Sequence, residues 1–302
     1  MERPYILHMF TPGAQVSPFD VNMAADAGYQ VLVPYCNVSL EGVAGLVQDA
    51  IFSRGPKGAA RTGLFIGGRD AMLAQDMLDR TGKAMFPPFV VSVCADPSGA
   101  YTTAAALVAC TEAALERAGA GGLAGKQVLL LGGTGPVGRI AAVLCARREA
   151  RAVLGSHRGS SAAQEAATQT GTRFAVPLQG ASTAGTDALR AALADADVVL
   201  GVAGAGVQVA GEADLAAAKR LRVAADINAV PPAGIAGVGA MDDAKPIAGT
   251  SAVGIGALAV GNVKYQVQHR LLTRMREAEQ PVAFGFAEAL DVAREVVAEK
   301  GR

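Results

Sequence analysis

The segment "QVLLLGGTGPVGRIAAVLCARREARAVLGSHRGSS", residues 127–161, decides the fold. It begins with an apolar run of strand length, passes through a cluster of glycines, and continues into an apolar stretch with helical spacing. A second strand is predicted at 151–155, with its apolar residues at 152–154. A strand, a glycine turn, a helix and a further strand in this order predict the start of a doubly wound parallel sheet.

The glycines have the spacing G-x-G-x-x-G, which is typical of a turn that holds the pyrophosphate of a dinucleotide. We expect the first glycine to permit a tight turn, the second to let backbone amides approach the phosphates, and the third to let helix and strand pack closely. The amides would then lie at a helix N-terminus, which favours negative charge. The alternative is a glycine-rich turn that binds nothing. The predicted cofactor loop consists of Gly133, Thr134, Gly135, Pro136, Val137 and Gly138.

The end of the second strand bears on which dinucleotide is bound. An acidic residue there would hold the ribose 2′-hydroxyl of NAD, but Ser156, His157 and Arg158 occupy these positions. A hydroxyl and a guanidinium suit a 2′-phosphate, so the segment favours NADP as co-substrate, and NAD stays possible. Arg158 could also be a solvated loop residue, as many loop arginines are.

Two further strand ends should lie near the same ligand. The run "VVLGVAGAGVQV" has small residues, among them Ala203 and Gly204, where the nicotinamide ribose is expected, although such residues also form ordinary tight turns. The run "ADINAVPPAG" places Asp226 and Asn228 at the end of another strand. We include Ala203, Gly204 and Asn228 among the candidate cofactor-binding residues.

The composition excludes several classes of function. The 302 residues include 27 basic and 27 acidic side chains, so a net charge of zero argues against nucleic-acid binding. No unbroken apolar stretch reaches membrane-spanning length, and the N-terminus reads as a strand and not as a signal. The four scattered cysteines and three histidines offer no metal-ligand spacing. We therefore expect a cytoplasmic protein with reduced thiols, no bound metal and no membrane partner.

Strand and helix patterns alternate along the chain, which predicts an α/β protein of two domains. The domains are an N-terminal α/β substrate domain, 1–110 completed by 275–302, and a Rossmann-type domain, 111–274. In the first, the patterns predict strands at 4–9, 30–34, 62–67 and 89–94 and helices at 18–27, 39–53 and 69–82. A long helix at 98–118 is predicted to cross to the second domain. Ser17 with Pro18, and Ser39, are expected to begin two of these helices.

In the second domain the patterns predict strands at 127–132, 151–155, 172–176, 197–202 and 222–226. Helices are expected at 136–148, 161–170 and 185–194. The run "NAVPPAGIAGV" should be irregular because of its proline and glycine content. A helix at 252–278 follows, and a final helix at 285–299 belongs to the first domain.

No arrangement of residues for acid–base, nucleophilic or metal catalysis stands out. Alcohol oxidation needs a group that moves the hydroxyl proton while the hydride leaves. Hydride loss that leaves a stabilised cation needs no such group. The weak acid–base signal therefore favours hydride abstraction from a C–H bond flanked by nitrogens.

Several longer motifs give the chain a resemblance to a known family. They are "ILHMFTPGAQVSPFDVNMAADAGYQ", "IFSRGPKGAARTGLFIGG", "ADPSGAYTTAAA", "DINAVPPAGIAGV" and "GIGALAVGNVKYQ". Over nearly its whole length the sequence resembles the NAD(P)-dependent methylene-tetrahydromethanopterin dehydrogenases of C1-oxidising bacteria. It is more similar to the branch that uses both NAD and NADP than to the strictly NADP-dependent branch.

The resemblance implies oxidation of a methylene-tetrahydromethanopterin carrier to the methenyl form, with hydride transfer to NAD(P), during cytoplasmic formaldehyde oxidation. It implies a substrate domain and a Rossmann domain flanking a cleft, in a homo-oligomer. Lys264 of "GNVKYQ" matches a family lysine that orients the pterin, and Asp20, Asp96 and Asn228 are implied pterin contacts. The loop "GSHRGSS" varies in the family, which leaves the choice between NAD and NADP open.

Two alternatives remain. The first is a methylene-tetrahydrofolate dehydrogenase of similar fold, which could also hydrolyse the methenyl product. The Tyr-x-x-x-Lys pattern of that family is missing from the first domain. The second is a non-catalytic NADP sensor, for which no effector domain is evident. Lys264 could also be a solvated helix lysine.

Overall fold

The alternation of strands and helices extends over both halves of the computed structural model, which describes residues 3–301. The elements up to the glycine turn are β1 (Ile6–Phe10), α1 (Pro18–Asp26), β2 (Val31–Tyr35), α2 (Val43–Phe52), α3 (Gly55–Ala59), β3 (Thr62–Ile66), α4 (Ala71–Ala84), β4 (Ser92–Ala95), α5 (Ala100–Arg117) and β5 (Gln127–Leu131).

The remaining elements run from the helix after that turn to the C-terminal helix. They are α6 (Pro136–Arg147), β6 (Arg151–Ser156), α7 (Ser160–Phe174), β7 (Gln179–Ser182), α8 (Thr186–Ala194), β8 (Val198–Gly201), α9 (Glu212–Leu215), β9 (Val223–Asp226), β10 (Asp243–Pro246), β11 (Val253–Ile255), α10 (Ala257–Glu277), β12 (Ala283–Phe284) and α11 (Phe286–Lys300).

The chain divides into two compact units. The first contains the residues up to Thr102 together with Tyr265–Val292, and the second contains Thr103–Lys264 together with the residues from Ala293 onward. Helices α5, α10 and α11 each contribute residues to both units. The division therefore differs from the predicted domains at 103–110, 265–274 and the C-terminal stretch. A continuous helix carries no sequence signal at the point where its neighbours change, so the pattern could not specify the crossover.

The first unit contains a parallel sheet with the strand order β2-β1-β3-β4-β12 within the described residues. Every residue of β3 and β4 is buried, as expected for parallel strands covered by helices on both faces. The ring of Tyr101 on α5 contacts Phe286 on α11 edge-on, with centroids 5.4 Å apart. The expected α/β architecture is confirmed for this unit.

The second unit contains a sheet with the order β10-β11-β9-β8-β5-β6-β7. All its strand pairs are parallel except β10 with β11. From β7 to β11 this is the strand order of the Rossmann fold, with β5 at the centre. The apolar side chains of β5 and β8 pack against α8 and α9 in one core, represented by Leu129, Val199, Leu193 and Leu215. The predicted Rossmann-type domain is confirmed.

Three local predictions were wrong. The strand expected at 172–176 is the end of α7, because residues 163, 166, 167, 170 and 174 form one buried helical face. The helix expected from residue 252 begins at Ala257 after β11, and a Cβ at Gly256 would lie 2.0 Å from the Gly239 carbonyl oxygen. Ser39 does not cap α2, which begins at Val43 after an N-cap at Gly42.

The helix predicted after Ser17 does begin there. Pro18 occupies the first turn of α1 as expected, although the Ser17 side chain makes no capping hydrogen bond. The run "NAVPPAGIAGV" is irregular, as predicted. Within residues 3–301, no helix combines the length and hydropathy needed to cross a membrane.

Candidate functional site

The glycine turn lies where the strand order of the second unit reverses. Leu131 at the end of β5 pairs with Gly155 of β6 on one side and Gly201 of β8 on the other. The chain leaves β5 for β6, whereas the later crossover adds β8 to the opposite side. In open parallel sheets, ligands bind beyond the carboxyl ends of the strands at such a reversal. The candidate site is therefore the set of loops that follow β5, β6, β8 and β9.

Backbone crowding fixes the shape of the glycine turn. Gly132 has a φ of +80°, and a Cβ there would lie 2.7 Å from the Cα of Ala203. A Cβ on Gly133 would lie 2.7 Å from the Leu130 carbonyl oxygen, and one on Gly138 would lie 2.6 Å from the Cα of Gly133. The tight turn that we expected at Gly133 is thus made by Gly132, whereas Gly133 and Gly138 allow helix and strand to approach closely.

The start of α6 is open toward the expected ligand. A Cβ on Gly135, the N-cap residue, would meet only the Gly132 carbonyl oxygen, at 3.6 Å, and no side chain caps the helix. Pro136 is exposed, and Thr134 and Val137 are half-buried. The Arg139 Nε donates to the Thr134 carbonyl oxygen over 3.0 Å, which holds the loop against the helix. Helix amides beside a cradle free of side chains fit a pyrophosphate.

The loop after β6 separates three residues that were predicted to act together. Ser156 is 1% exposed, and its Oγ accepts a hydrogen bond from the Arg158 backbone N–H at 3.2 Å. His157 and Arg158 are exposed. Gly159 then adopts a φ of +97° as the N-cap residue of α7. Ser156 thus shapes the loop from inside, and the two following side chains lie at its surface.

The loop after β8 contacts the glycine turn. Ala203 is half-buried against Gly132, whereas Gly204 is exposed with no atom within 4 Å of a built Cβ. The Val202 N–H donates to the Leu131 carbonyl oxygen over 2.9 Å. The structure therefore brings Ala203 beside the predicted cofactor loop, with open space at Gly204.

Asp226 and Asn228 connect the loops after β8 and β9. The buried carboxylate of Asp226 accepts hydrogen bonds from the backbone N–H groups of Asn228, Gly234 and Ile235 at 3.0, 2.7 and 3.1 Å. The Asn228 Oδ1 accepts from the N–H groups of Gly206 and Val230. Burial raises the pKa of Asp226, and the three backbone donors oppose that rise.

The Asn228 side chain is also engaged as a donor. Its Nδ2 donates to the Pro232 carbonyl oxygen over 2.8 Å. The amide oxygen and the amide nitrogen therefore both bind protein backbone. This arrangement makes Asn228 a connector of two loops, a role that the sequence reading did not assign to it.

The other predicted substrate residues belong mainly to the first unit. Asp20 is 3% exposed, and its Oδ1 accepts from the Gln268 Nε2 over 2.8 Å. Asp96 is fully buried and accepts from the N–H groups of Tyr101 and Thr102 and from the Thr102 hydroxyl. Asp96 thus fixes the turn from β4 into α5.

Lys264 belongs to the second unit. It is half-buried on α10, one helical turn before Gln268. Its place on a helix agrees with the predicted element.

The three histidines lie on different elements of the chain. His8 on β1 lies 3.1 Å from the Tyr35 hydroxyl through Nδ1, and burial, with a smaller effect of Arg54, lowers its pKa. His157 lies on the loop after β6, and His269 lies on α10. No group of three histidine, cysteine or acidic side chains within the described chain is arranged to hold a metal ion.

Sequence reasoning missed residues that support the site. Gly132 carried a signal, since it precedes the motif directly and two glycines in a row often mark a tight turn. Arg139 and Asp226 support the site through hydrogen bonds to loop backbone at Thr134, Gly234 and Ile235, and the pairing of side chain with backbone is not revealed by residue spacing. Thr183 also lies near the β6 loop, where its N–H donates to the Ser156 carbonyl oxygen over 2.9 Å.

Comparisons with known sequences give a matching family model and two relatives of this chain. A family model described as "Methylene-tetrahydromethanopterin dehydrogenase, N-terminal" matches residues 18–98. A protein of Methylorubrum extorquens described as "NAD(P)-dependent methylenetetrahydromethanopterin dehydrogenase" is 47% identical over 291 residues, covering 96% of this chain and 98% of the relative. A second protein of that organism, "Bifunctional protein MdtA", is 33% identical over 292 residues with the same coverage of both chains.

Solved structures share the fold at low sequence identity. An NAD-dependent malic enzyme from Thermotoga maritima matches with a TM-score of 0.57 and 13% identity, covering 96% of this chain and 84% of that chain. A quinate dehydrogenase from Corynebacterium glutamicum in complex with NAD matches with a TM-score of 0.53 and 13% identity, covering 96% and 98%. At this identity the likeness concerns the fold alone.

Proposed function

This chain belongs to the methylene-tetrahydromethanopterin dehydrogenase family, and we propose that it transfers a hydride from methylene-tetrahydromethanopterin to NAD(P)+. The observation that carries the proposal is the 47% identity, over 96% of the chain, with a relative of that name. The glycine turn at the reversal of the parallel sheet supports it independently, because its geometry fits a pyrophosphate. The role of the chain is one-carbon oxidation, in the cytoplasm and as a homo-oligomer.

The chemistry agrees with the absence of an acid–base motif from the sequence. The carbon that loses the hydride lies between two nitrogens, and the resulting cation is delocalised over both. No proton has to move, so the protein needs no general base and acts mainly by alignment. A bound nicotinamide supplies the carbon that accepts the hydride. The buried carboxylates of Asp96 and Asp226 orient backbone and exchange no proton with substrate.

The second unit holds the dinucleotide through backbone and through exposed side chains. The amides at the start of α6 bind the pyrophosphate, in the space that Gly135 leaves open. Arg158, assisted by His157, binds the 2′-phosphate of NADP, and NAD is accepted without that contact. Ser156 fixes the backbone on which both side chains are carried.

The loops after β8 and β9 act as one wall of this site. Ala203 and Gly204 lie beside the glycine turn and leave room for the nicotinamide ribose. Asn228 joins the two loops, and Asp226 anchors the second of them to the end of its strand. Asn228 therefore acts on dinucleotide and pterin through loop position, and a direct contact is not required of it.

Lys264 orients the pterin by hydrogen bonding, as the family resemblance implies. Asp20 contributes to the pterin site together with Gln268, its hydrogen-bond partner. Asp96 contributes by fixing the turn after β4, because its carboxylate oxygens already accept hydrogen bonds from protein groups.

The proposal is tested by following the absorbance of reduced nicotinamide. The purified protein is mixed with methylene-tetrahydromethanopterin or methylene-tetrahydrofolate, each with NAD+ or NADP+. We expect turnover with the methanopterin substrate and both dinucleotides. Preference for the folate substrate would favour a folate dehydrogenase. Dinucleotide binding without turnover of either pterin would favour a sensor.

The role of Lys264 is tested separately with Lys264→Ala. Loss of a charged hydrogen bond should reduce kcat/KM for the pterin by about 10–100-fold, while dinucleotide affinity stays unchanged. Lys245→Ala is the matched control, since Lys245 is exposed on β10 and pairs with Asp242 at 3.5 Å. Full activity of the Lys264 variant would contradict the assignment.

A further inference from the structure

A cavity of about 750 Å³ lies within the second unit, at the amino ends of β5 and β6. Its walls come from α5, the loop before β5, the end of α6, β10, α10 and α11. The volume is in the range of cavities that take small organic molecules. The proposed activity gives this cavity no role.

The cavity is separate from the dinucleotide site. Gly122 and Leu123 in its wall precede β5, whereas the glycine turn follows the carboxyl end of that strand. Arg148 and Glu149 likewise precede β6, and the Ser156 loop follows it. Five or six residues of extended strand place the two regions roughly 15 Å apart. A ligand in the cavity therefore does not occupy the nucleotide cradle.

One wall of the cavity carries two arginines held by a shared carboxylate. Arg294 contacts both oxygens of Glu112, with its Nε at 2.8 Å from Oε2 and an Nη at 2.6 Å from Oε1. Arg148 reaches Oε1 of the same carboxylate with its Nε alone, at 3.2 Å. The Arg148 and Arg294 side chains stay 48% and 33% exposed. Glu112 thus orients two guanidinium groups and neutralises one of them.

The other walls include apolar surface. Ala113 and Val297 are half-buried, and Val263 is 1% exposed. Opposite charges also meet at Arg117 and Asp243, where an Nη lies 2.6 Å from Oδ1. The cavity therefore combines an oriented pair of cations with surface that favours a hydrophobic body.

The charge of the lining favours a single negative charge on the ligand. Five cationic residues, at positions 117, 147, 148, 294 and 300, face four acidic ones, at 112, 116, 149 and 243. The difference is +1. A guanidinium binds a carboxylate in a planar, two-point geometry that a neutral amide does not match. We propose that this cavity is a second binding site, for a small organic carboxylate with an apolar body, whose carboxylate binds Arg148 and Arg294.

The proposal is tested by calorimetric titration of the full chain, with saturating NADP+ present, using 2-naphthoate and its neutral counterpart 2-naphthamide. We expect naphthoate to bind at one site per chain, and naphthamide to bind at least about tenfold more weakly, because it lacks the charge that the guanidinium groups bind. Equal affinity of the two probes would overturn the proposal. Naphthoate that binds in a parallel titration without NADP+, but not with NADP+ present, would lie in the dinucleotide site, and this result would also overturn the proposal.

Two variants locate the probe. Arg148→Met keeps the apolar stem, leaves Glu112 paired with Arg294, and should weaken naphthoate about tenfold without affecting naphthamide. Ala113→Phe fills part of the cavity and should weaken both probes. Arg190→Met is the matched control, since Arg190 is 42% exposed and pairs with Asp214 elsewhere in the second unit.

The control variant should bind naphthoate like the wild type. Wild-type affinity in both Arg148→Met and Ala113→Phe would refute the site. Turnover of methylene-tetrahydromethanopterin is measured in parallel. The cavity can bind naphthoate whether or not that turnover is found, so failure of one proposal is distinguishable from failure of the other.

Discussion

Two neighbouring loops of the dinucleotide site are shaped by opposite means. The turn after β5 is determined by backbone crowding, since a side chain on Gly132, Gly133 or Gly138 would collide with main-chain atoms within 2.7 Å. The loop after β6 is held by the buried hydroxyl of Ser156 and carries exposed side chains. In the proposed function, the first loop binds the pyrophosphate, which all dinucleotides share. The second carries the side chains that would distinguish one dinucleotide from another.

The difference explains why the sequence predicted one loop better than the other. Only glycine fits a position where a Cβ has no space, so the spacing of glycines reports the shape of the turn. An exposed arginine is compatible with many loop geometries, and its identity does not report a bound phosphate. Shape can thus be predicted from the sequence more directly than specificity.

The largest effect is expected from Gly133→Val. Its side chain would meet the Leu130 carbonyl oxygen and displace the turn, so we expect dinucleotide affinity to fall by about 100-fold or more, with a loss of stability of about 1–3 kcal/mol. Affinity is measured by calorimetry and stability by denaturant unfolding.

Gly135→Ala separates the loss of dinucleotide affinity from the loss of stability, which Gly133→Val would cause together. Its methyl group fits the protein, since only one atom lies within 4 Å, but it occupies the space proposed for the pyrophosphate. We expect unchanged stability together with weaker binding of both dinucleotides. Wild-type affinity in both glycine variants would show that the turn does not hold the dinucleotide.

The next largest effect is expected in the loop after β9, which is held by the carboxylate of Asp226. Asp226→Ala leaves the backbone N–H groups of Asn228, Gly234 and Ile235 without their acceptor, so the free energy of unfolding should fall by about 2–4 kcal/mol. Denaturant unfolding measures it, with exposed Asp187→Ala as the control. A loss no larger than in the control would mean that Asp226 does not anchor the loop.

The sequence predicted the architecture better than it predicted the hydrogen bonds that hold the loops of the site. Alternating apolar runs predicted the first four strands of one sheet and four strands of the other, whereas the short strands β7, β10, β11 and β12 were not predicted. The strand–turn–helix context was enough to predict the position of the glycine motif. The strand predicted at 172–176 was wrong because this stretch continues the buried face of α7. The points within α5 and α10 at which the two compact units divide depend on neighbouring residues, which spacing does not encode.

The same limit applies to individual side chains. Asn228 was interpreted as a ligand contact because it follows the end of a strand, and Asp96 because the family resemblance implies it. The structure shows that their side chains form hydrogen bonds with protein groups. A sequence lists the donors and acceptors, but the pairing between them is decided by the fold.

A smaller and more selective effect is expected from Arg158→Ala. Removing the guanidinium should weaken NADP by about tenfold and leave NAD unchanged, because only NADP carries the 2′-phosphate. The KM of each dinucleotide is measured, with Arg151→Ala as the control, since Arg151 is exposed at the opposite end of β6. An equal loss for both dinucleotides would show that Arg158 does not recognise the 2′-phosphate.

The smallest effect is expected from Ser156→Ala, which tests whether the loop is shaped from within. The Ser156 Oγ accepts from the Arg158 N–H at 3.2 Å, and the residue is 1% exposed. Loss of this hydrogen bond should lower the free energy of unfolding by about 1 kcal/mol. The affinities for NAD and NADP should change little, and by the same factor. A direct bond from this hydroxyl to the 2′-phosphate would instead make the loss selective for NADP. Comparing the ratio of the two KM values in Ser156→Ala and Arg158→Ala therefore separates a residue that shapes the loop from one that binds through it.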